Sequence, residues 1–530
     1  MSSTTPSETT PLLQEPTQPS NHHLPRHHHE GTEIEASNEQ ANSDSPYYGD
    51  YTKSQFWFLY GPILFMYFLA QFDSTLMASS HPVITSYFHA SNAASWLSTV
   101  FMLTSTAFQP LFGRGSIITN DLIKIEFRGT YQAYINLFYG LGAASGAAFG
   151  GFLCDRLGWR WTFGVQVPPI LVLLICGIFS VPSDLGPNLA RHTGQKWYQT
   201  LKGFDLAGSF CLTLTTASLI LGLNLGGTIF PWKHPIVISA LVISGLTAAS
   251  LIRIESRAHR PVMPLAMLSK SPRANLVFSN FFVTLGINTV LFNAPLYFQA
   301  VKLDSASVSG FRLAAPSIVQ TIFAVATGFF ITYTGRMKSP QVLGAICMLV
   351  GGIVLSCMWD GIPSWLATLF VVPPSLGLAI MCPTTSIAVL AVSSQSDQAV
   401  MTSTLSLWRN LGTALGVAIS SLIVQNGLIV YLDRYITGPN KSELIQNVLK
   451  SVATIRELEG LHQHEGEFSV KKSNLLGLCS LRSAIMAYAA ALRLAFISSI
   501  LYFVIVNVLI LPIQLPRLGK GKVAADVEEE

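Results

Sequence analysis

Charged residues are scarce in this 530-residue sequence: Asp, Glu, Lys and Arg together make up 11% of it, whereas half of its residues are hydrophobic. A soluble protein is typically about one quarter charged. The deficit indicates that most of the molecular surface faces lipid rather than water. The formal net charge of +4 is small, and no basic stripe interleaves with aromatic residues, so the sequence predicts no nucleic-acid partner.

Catalytic and metal-binding motifs are missing as well. None of the seven cysteines forms a C-x-x-C pair, which argues against a metal site and against a disulfide framework. The sequence has no G-x-S-x-G, no H-E-x-x-H and no Walker phosphate loop. These absences predict a protein that is not an enzyme, that needs no cofactor and that does not use ATP directly.

Long apolar runs dominate the sequence instead. The hydrocarbon core of a bilayer is about 30 Å thick and takes roughly 20 apolar residues per helix, so the sequence predicts an all-α polytopic membrane protein with about twelve transmembrane helices. The predicted spans are Phe56–Met77, Ala94–Phe112, Tyr131–Leu153, Trp161–Val181, Leu206–Gly226, Ile236–Leu251, Leu276–Phe298, Leu313–Thr332, Val342–Met358, Leu366–Leu390, Leu411–Tyr431 and Leu492–Ile513. Basic residues concentrate in alternate loops, and the positive-inside rule then places both termini in the cytosol.

This pattern divides the chain into five parts. Residues 1–54 hold no apolar run and are rich in Ser, Thr, Pro, Glu and His, as expected of a disordered cytosolic tail. The remaining parts are an N-terminal helix bundle at 55–182, two linker helices with cytosolic loops at 183–273, a C-terminal helix bundle at 274–515 with a lumenal loop at 432–489, and a cytosolic tail at 516–530.

Two short motifs bear on sorting and topology. Glu8, Leu12 and Leu13 have the spacing of acidic dileucine signals that sort membrane proteins to vacuoles or lysosomes, although so short a pattern also arises by chance. Asn440 begins an Asn-Lys-Ser sequence, which is an acceptor for N-glycosylation. The predicted orientation places Asn440 on the lumenal side.

Asp73 is the single acidic residue well inside a predicted span. A charge at mid-bilayer costs about 2.5–3.5 kcal/mol on insertion scales, so such a residue usually faces a cavity or a partner. We therefore expect Asp73 to couple protons and to attract a cationic substrate. The alternative is that it only braces neighbouring helices through hydrogen bonds.

Further polar residues mark other helices. The predicted span Leu276–Phe298 and its end carry Asn280, Asn288, Asn293, Tyr297 and Gln299. They predict one face of a substrate pathway, with hydrogen bonding between helices as the alternative. Arg312 and Arg409 are expected at helix ends, with side chains that extend to the membrane interface.

Small residues crowd the segment from Tyr139 to Gly151. Its glycines would let helix backbones approach closely and bend, as a rocking bundle requires, whereas a static helix contact would use them equally well. These glycines are Gly140, Gly142, Gly146, Gly150 and Gly151. The segment resembles the antiporter signature of the major facilitator superfamily, with Ala147 where a proline is usual.

Other segments extend this resemblance over nearly all of residues 50–515. The sequence Phe72-Asp73-Ser74-Thr75 is similar to the first helix of fourteen-span drug/proton antiporters. Within that group, the run from Leu291 to Gln299 resembles fungal vacuolar basic amino acid transporters, as does the gating-loop motif that contains Gly335, Arg336 and Lys338. The resemblance implies a major-facilitator-type bundle.

The implied function is a proton-coupled antiporter that moves basic amino acids into the vacuole. Its partners would be a small basic amino acid or cationic drug, protons and membrane lipid, and it would act as a monomer in the vacuolar membrane. One alternative is a multidrug efflux transporter of the plasma membrane. Another is a transport-dead isoform or a faulty gene model.

That last alternative arises from a discontinuity after Arg114. The segment that ends at Arg114 resembles the end of the family's second helix, and Gly115 to Asp121 resembles the end of the fourth. Two helices with their loop would take roughly 50 residues, and no apolar run fills that place. The twelve predicted spans therefore resemble a fourteen-span plan that lacks its third and fourth helices. Residues 459–485 in turn resemble an insertion.

Overall fold

The computed structural model describes residues 52–88, 123, 127–180, 206–226, 230–257, 268–359, 361–394, 397–436, 441, 445, 448–449 and 473–517. The predicted span Ala94–Phe112, the sorting residues Glu8, Leu12 and Leu13, and the glycosylation acceptor Asn440 lie outside these residues.

Twelve α-helices make up most of the described chain. They are α1 Lys53–Tyr87, α2 Arg128–Leu157, α3 Trp159–Gly164, α4 Val167–Ser180, α5 Leu206–Leu225, α6 Pro235–Glu255, α7 Arg273–Ala300, α8 Ala306–Thr334, α9 Lys338–Ser356, α10 Ser364–Ala391, α11 Gln398–Tyr435 and α12 Ser473–Ile510. Each predicted span within the described residues coincides with a helix, and α3 with α4 covers one span. Eight of the described helical segments are long and apolar enough to cross a membrane. The predicted all-α polytopic fold is confirmed.

Several helices run beyond the predicted spans. Both α11 and α12 contain 38 residues, which at 1.5 Å per residue makes each about 57 Å long, well over the bilayer core. The extra length of α11 lies at its start, where the polar residues before Leu411 continue the helix. Apolar length therefore locates the membrane-embedded part of a helix but not its ends.

Local sequence signals set other helix ends. Ser305 caps α8, because its side chain accepts a hydrogen bond from the backbone N–H of Val308. The same helix ends at Gly335, whose φ of 64° is the left-handed conformation favoured at helix C-termini. Pro235 occupies the first position of α6, where the missing N–H costs no hydrogen bond.

Helix packing follows two groups. The first, the N-terminal half, contains α1 and α2, which pack along each other. In the second, the C-terminal half, α7 packs against α11 and α12, α9 packs against α10 and α12, and α8 packs along α10. Between the halves, α2 packs along α8. The helices α5 and α6 pack on each other, and α5 also packs on α11; their role as linker helices stays a prediction.

Candidate functional site

The contact between α1 and α2 depends on glycine. A Cβ atom at Gly142 would collide with the carbonyl oxygen of Phe68, and one at Gly146 would collide with the carbonyl oxygen of Phe72 and the hydroxyl of Thr75. Only glycine allows the two backbones to approach so closely. Asp73 follows Phe72, so the carboxylate predicted to couple protons lies directly beside this tight contact.

A matching contact holds α7 and α11 together. A Cβ atom at Gly412 would collide with the carbonyl oxygen of Phe281, and one at Gly416 with the carbonyl oxygen of Leu285. Gly412 and Gly416 are four residues apart, as are Gly142 and Gly146. Each half of the molecule thus joins two of its helices through a pair of glycines one turn apart. Only the first pair is among the glycines predicted from the sequence.

The remaining glycines of the antiporter-like segment have different surroundings. Gly140 faces α8, where an added Cβ would collide with the side chain of Thr321. Gly150 is buried, while the environment of Gly151 lies outside the described part of the chain. Since α2 contacts α1 through Gly142 and α8 through Gly140, this helix links the two halves of the molecule.

Asp73 is half-buried, and the side chain of Gln166 lies close enough to interact with its carboxyl group. Gln166 is 5% exposed, and its Nε2 donates no hydrogen bond within the described residues. It precedes α4, at the break between α3 and α4, so this break brings an amide group to the carboxylate. No sequence pattern marks Gln166 as a site residue.

The predicted pathway residues of α7 are engaged with neighbouring helices. Asn280 Nδ2 donates to the Leu405 carbonyl oxygen of α11 at 3.3 Å, and Asn288 Nδ2 donates to Thr413 Oγ1 at 3.2 Å. Asn293 Nδ2 donates to the Thr289 carbonyl oxygen within α7. The bonds of Asn280 and Asn288 fix α7 against α11, and the role of the three asparagines in a pathway stays a prediction.

Tyr297 and Gln299 lie at the opposite end of α7 from Asn280, and both are buried. The Tyr297 hydroxyl donates to the carbonyl oxygen of Trp359 at 3.4 Å. Nearby, Lys302 Nζ donates to the carbonyl oxygen of Ile362 at 2.6 Å. This end of α7 is therefore attached to the segment that connects α9 and α10.

The gating-loop residues connect α8, α9 and α12. Gly335 ends α8, and Arg336 is exposed. Lys338 begins α9, and its Nζ donates to carbonyl oxygens at the end of α12. The acceptors are Ile510, Leu511 and Ile513, at 2.8, 2.7 and 2.6 Å. A helix C-terminus leaves such carbonyls without helical partners, so the ammonium group caps α12.

The two arginines expected at helix ends differ in position. Arg312 lies in the second turn of α8 and pairs with Asp304 at 2.7 Å. The expectation for Arg409 is wrong: it is the twelfth residue of α11, well inside the helix. Its guanidinium donates to Ser386 Oγ of α10 at 3.3 Å.

Arg409 also interacts electrostatically with residues of the other half of the molecule. Its charge interacts with the hydroxyl groups of Tyr67 on α1 and Tyr139 on α2. Its Nε has no hydrogen-bond partner among the described residues, although it is buried. Apolar length alone places Arg409 just before a span that starts at Leu411, so its position inside the helix is not visible in the sequence.

The described residues form a bundle of many apolar helices, eight of them long and apolar enough to cross a membrane, which is the architecture of a polytopic membrane protein. The sequence profile of the Major Facilitator Superfamily matches residues 115–417, more than half of the chain. The chain belongs to this superfamily.

Several relatives are similar over most of the chain. Multidrug resistance protein fnx1 of Schizosaccharomyces pombe is 27% identical, covering 74% of this chain and 83% of the relative. Vacuolar membrane amino acid uptake transporter fnx2 of the same yeast is 27% identical, covering 74% and 75%. Vacuolar basic amino acid transporter 2 of Saccharomyces cerevisiae is 29% identical, covering 63% and 82%.

Proposed function

We propose that this transporter is a proton-coupled antiporter that moves basic amino acids into the vacuole. The half-buried carboxylate of Asp73, beside the glycine contact of α1 with α2, carries the proposal. One carboxylate that binds either a proton or a cation gives antiport, because the two ligands compete for it. Two of the similar proteins are named as vacuolar amino acid transporters, which supports the substrate class and the vacuolar membrane.

Transport would use alternating access between the two halves. The substrate would bind between the N-terminal and C-terminal bundles, and rocking of one bundle against the other would open the site to each side in turn. The paired glycines at α1–α2 and α7–α11 support this mechanism, because they keep each half rigid. Protons and membrane lipid are the other partners, and the proposed unit is a monomer.

A multidrug efflux transporter of the plasma membrane is the second candidate. The name of fnx1 favours it, and the Asp73 carboxylate within an apolar bundle would attract a cationic drug as readily as an amino acid. The acidic dileucine spacing at Glu8, Leu12 and Leu13 favours the vacuole.

We also propose that this chain lacks the third and fourth helices of a fourteen-span plan. The alignment with fnx1 has 447 positions, but only 74% of this 530-residue chain takes part in it. That share is fewer residues than the alignment has positions. The alignment with vacuolar basic amino acid transporter 2 likewise extends over 387 positions against 63% of this chain. Positions of both relatives therefore find no counterpart here, which supports an internal deletion.

Uptake into isolated vacuolar vesicles tests the substrate class. Vesicles that contain the protein would be energised by ATP, and uptake of labelled lysine, histidine and arginine would be compared with uptake of a cationic drug. The proposal expects uptake of the amino acids that collapses when a protonophore is added. Uptake of the drug alone would favour the efflux transporter.

The assay needs two forms of the protein because of the proposed deletion. One is the 530-residue chain, and the other carries the corresponding segment of fnx2 between Arg114 and Gly115. Lack of lysine uptake in both forms, with both present in the vesicle membrane, would reject basic amino acids as the substrate.

A further inference from the structure

We propose that Arg409 forms a carboxylate-binding subsite between α1, α2, α10 and α11, so that the transported molecule must carry a carboxylate group. The inference rests on the proposed function, since it names the chemistry that the same transporter recognises. Arg409 would be a second charged group in the site, besides Asp73. A requirement for a carboxylate would distinguish amino acids from cationic drugs as substrates.

The position of Arg409 is the first observation. The neighbouring Trp408 packs on α7, with ring centroids 5.0 Å from Phe278 and 5.5 Å from Phe281. This packing and the contacts of Gly412 and Gly416 fix α11 to its own half of the molecule. The Arg409 guanidinium reaches Ser386 on α10, and α10 packs against α2 of the other half. Its charge also lies within electrostatic range of Tyr67 on α1 and Tyr139 on α2.

The second observation is that no residue in the described part of the chain forms an ion pair with Arg409. The ion pairs in the described residues join Arg312 with Asp304 and Lys441 with Asp433, and neither involves Arg409. The described groups near its guanidinium include the hydroxyls of Ser386, Tyr67 and Tyr139, and its buried Nε makes no hydrogen bond to described residues. A cation inside a membrane bundle without an anion is costly and marks a binding or transport role.

The geometry of the guanidinium points to the missing anion. Its planar, forked N–H donors match the two oxygens of a carboxylate, and such bidentate pairs are the strong ones. Tyr67 and Tyr139 add hydroxyl groups that can donate hydrogen bonds to the same anion. A cationic drug without a carboxylate would instead be repelled.

Asp73 does not serve as that anion in this arrangement. Six residues separate it from Tyr67, which corresponds to a rise of about 9 Å and a rotation of about 240° along α1. The two residues therefore differ in depth and lie on different faces of the helix. A basic amino acid carries one carboxylate and two cationic groups, so it can use the acidic and basic positions together.

Ligand binding to the purified full-length chain in lipid nanodiscs tests the subsite without requiring transport. Labelled L-lysine would be competed with unlabelled L-lysine and with cadaverine, which is lysine without its carboxylate. The proposal expects lysine to compete at least tenfold better than cadaverine. Equal competition by the two compounds would overturn it.

Variants then connect this preference to Arg409. Arg409→Gln should weaken lysine binding at least tenfold and remove the preference for lysine over cadaverine. Arg409→Lys should retain part of the lysine affinity and part of that preference. Arg253→Gln is the matched control, because Arg253 is exposed near the end of α6. An unchanged preference in Arg409→Gln would refute the subsite, and Arg409→Lys supplies the comparison where Arg409→Gln does not fold.

Labelled L-alanine and L-glutamate separate this inference from the proposed function. If the chain binds either of them but not lysine, and Arg409→Gln abolishes that binding, the carboxylate subsite stands and the basic substrate is rejected. If no ligand with a carboxylate binds, the inference fails.

Discussion

Lys338 Nζ lies 2.6 Å from the carbonyl oxygen of Ile513, although 175 residues separate the two in sequence. This bond and those to Ile510 and Leu511 attach the start of α9 to the end of α12. The gating-loop motif is therefore connected to the last helix of the bundle through a single ammonium group.

Replacement of Lys338 by Met should release the end of α12. Hydrogen bonds from a charged donor each contribute about 1.5–3 kcal/mol, and their values are not additive. We therefore expect a loss of about 2–3 kcal/mol in the free energy of unfolding, measured by thermal unfolding of the purified protein in detergent. Arg336→Met is the control in the same loop, since Arg336 is exposed. Equal losses in both variants would contradict the capping role.

Gly146→Ala should weaken the contact of α1 with α2. The added methyl group would collide with the Phe72 carbonyl oxygen and Thr75, and overpacking of this kind costs about 1–3 kcal/mol. Gly61→Ala on α1 is the control, because its Cβ would meet nothing within 4 Å, and alanine favours helix by up to about 1 kcal/mol. A thermal melt should show Gly146→Ala less stable than the parent protein, and Gly61→Ala no less stable.

The sequence predicts some of these features better than others. Asp73 is conspicuous in sequence, because a lone acid in an apolar run has few explanations, and the paired glycines at Gly142 and Gly146 are visible as spacing. The pairing of Lys338 with Ile513 is not visible, because it depends on how distant helices end at one place in the fold.

The errors have physical reasons as well. Arg409 was expected at the end of a helix because apolar length finds the embedded core of α11 and ignores the polar turns before it. Gln166 is not recognisable as a site residue in the sequence, because its approach to Asp73 depends on the interruption of the helix between α3 and α4. Apolar length and periodicity describe single helices, and these two side chains act between helices.

The topology is tested at the loop that follows α11. If this loop is lumenal, glycosidase treatment should increase the electrophoretic mobility of the protein, and Asn440→Gln should remove that effect. An accessible sequon can remain unmodified, so a cysteine introduced at Ser442 gives the stronger test. Labelling of this cysteine by an impermeant reagent from the cytosolic side alone would overturn the predicted orientation.

The proposed deletion predicts poor transport by the 530-residue chain. Without two helices, the N-terminal bundle would expose polar groups, and exposure of Asp73 to lipid would cost about 2–3 kcal/mol. Insertion of the fnx2 segment between Arg114 and Gly115 should restore uptake of labelled lysine. Equal uptake by both forms, at equal amounts in the membrane, would show that the twelve-span interpretation was correct.

Proton-driven lysine uptake with and without the Asp73 carboxylate tests the central claim most directly. Proteoliposomes that contain the restored chain would be given an imposed pH gradient, and Asp73→Asn would be compared with Asp433→Asn, whose side chain is 73% exposed in the parent protein. We predict that Asp73→Asn abolishes gradient-driven uptake without loss of folded protein, whereas Asp433→Asn transports normally. Gradient-driven uptake at the parental rate in Asp73→Asn would contradict the account.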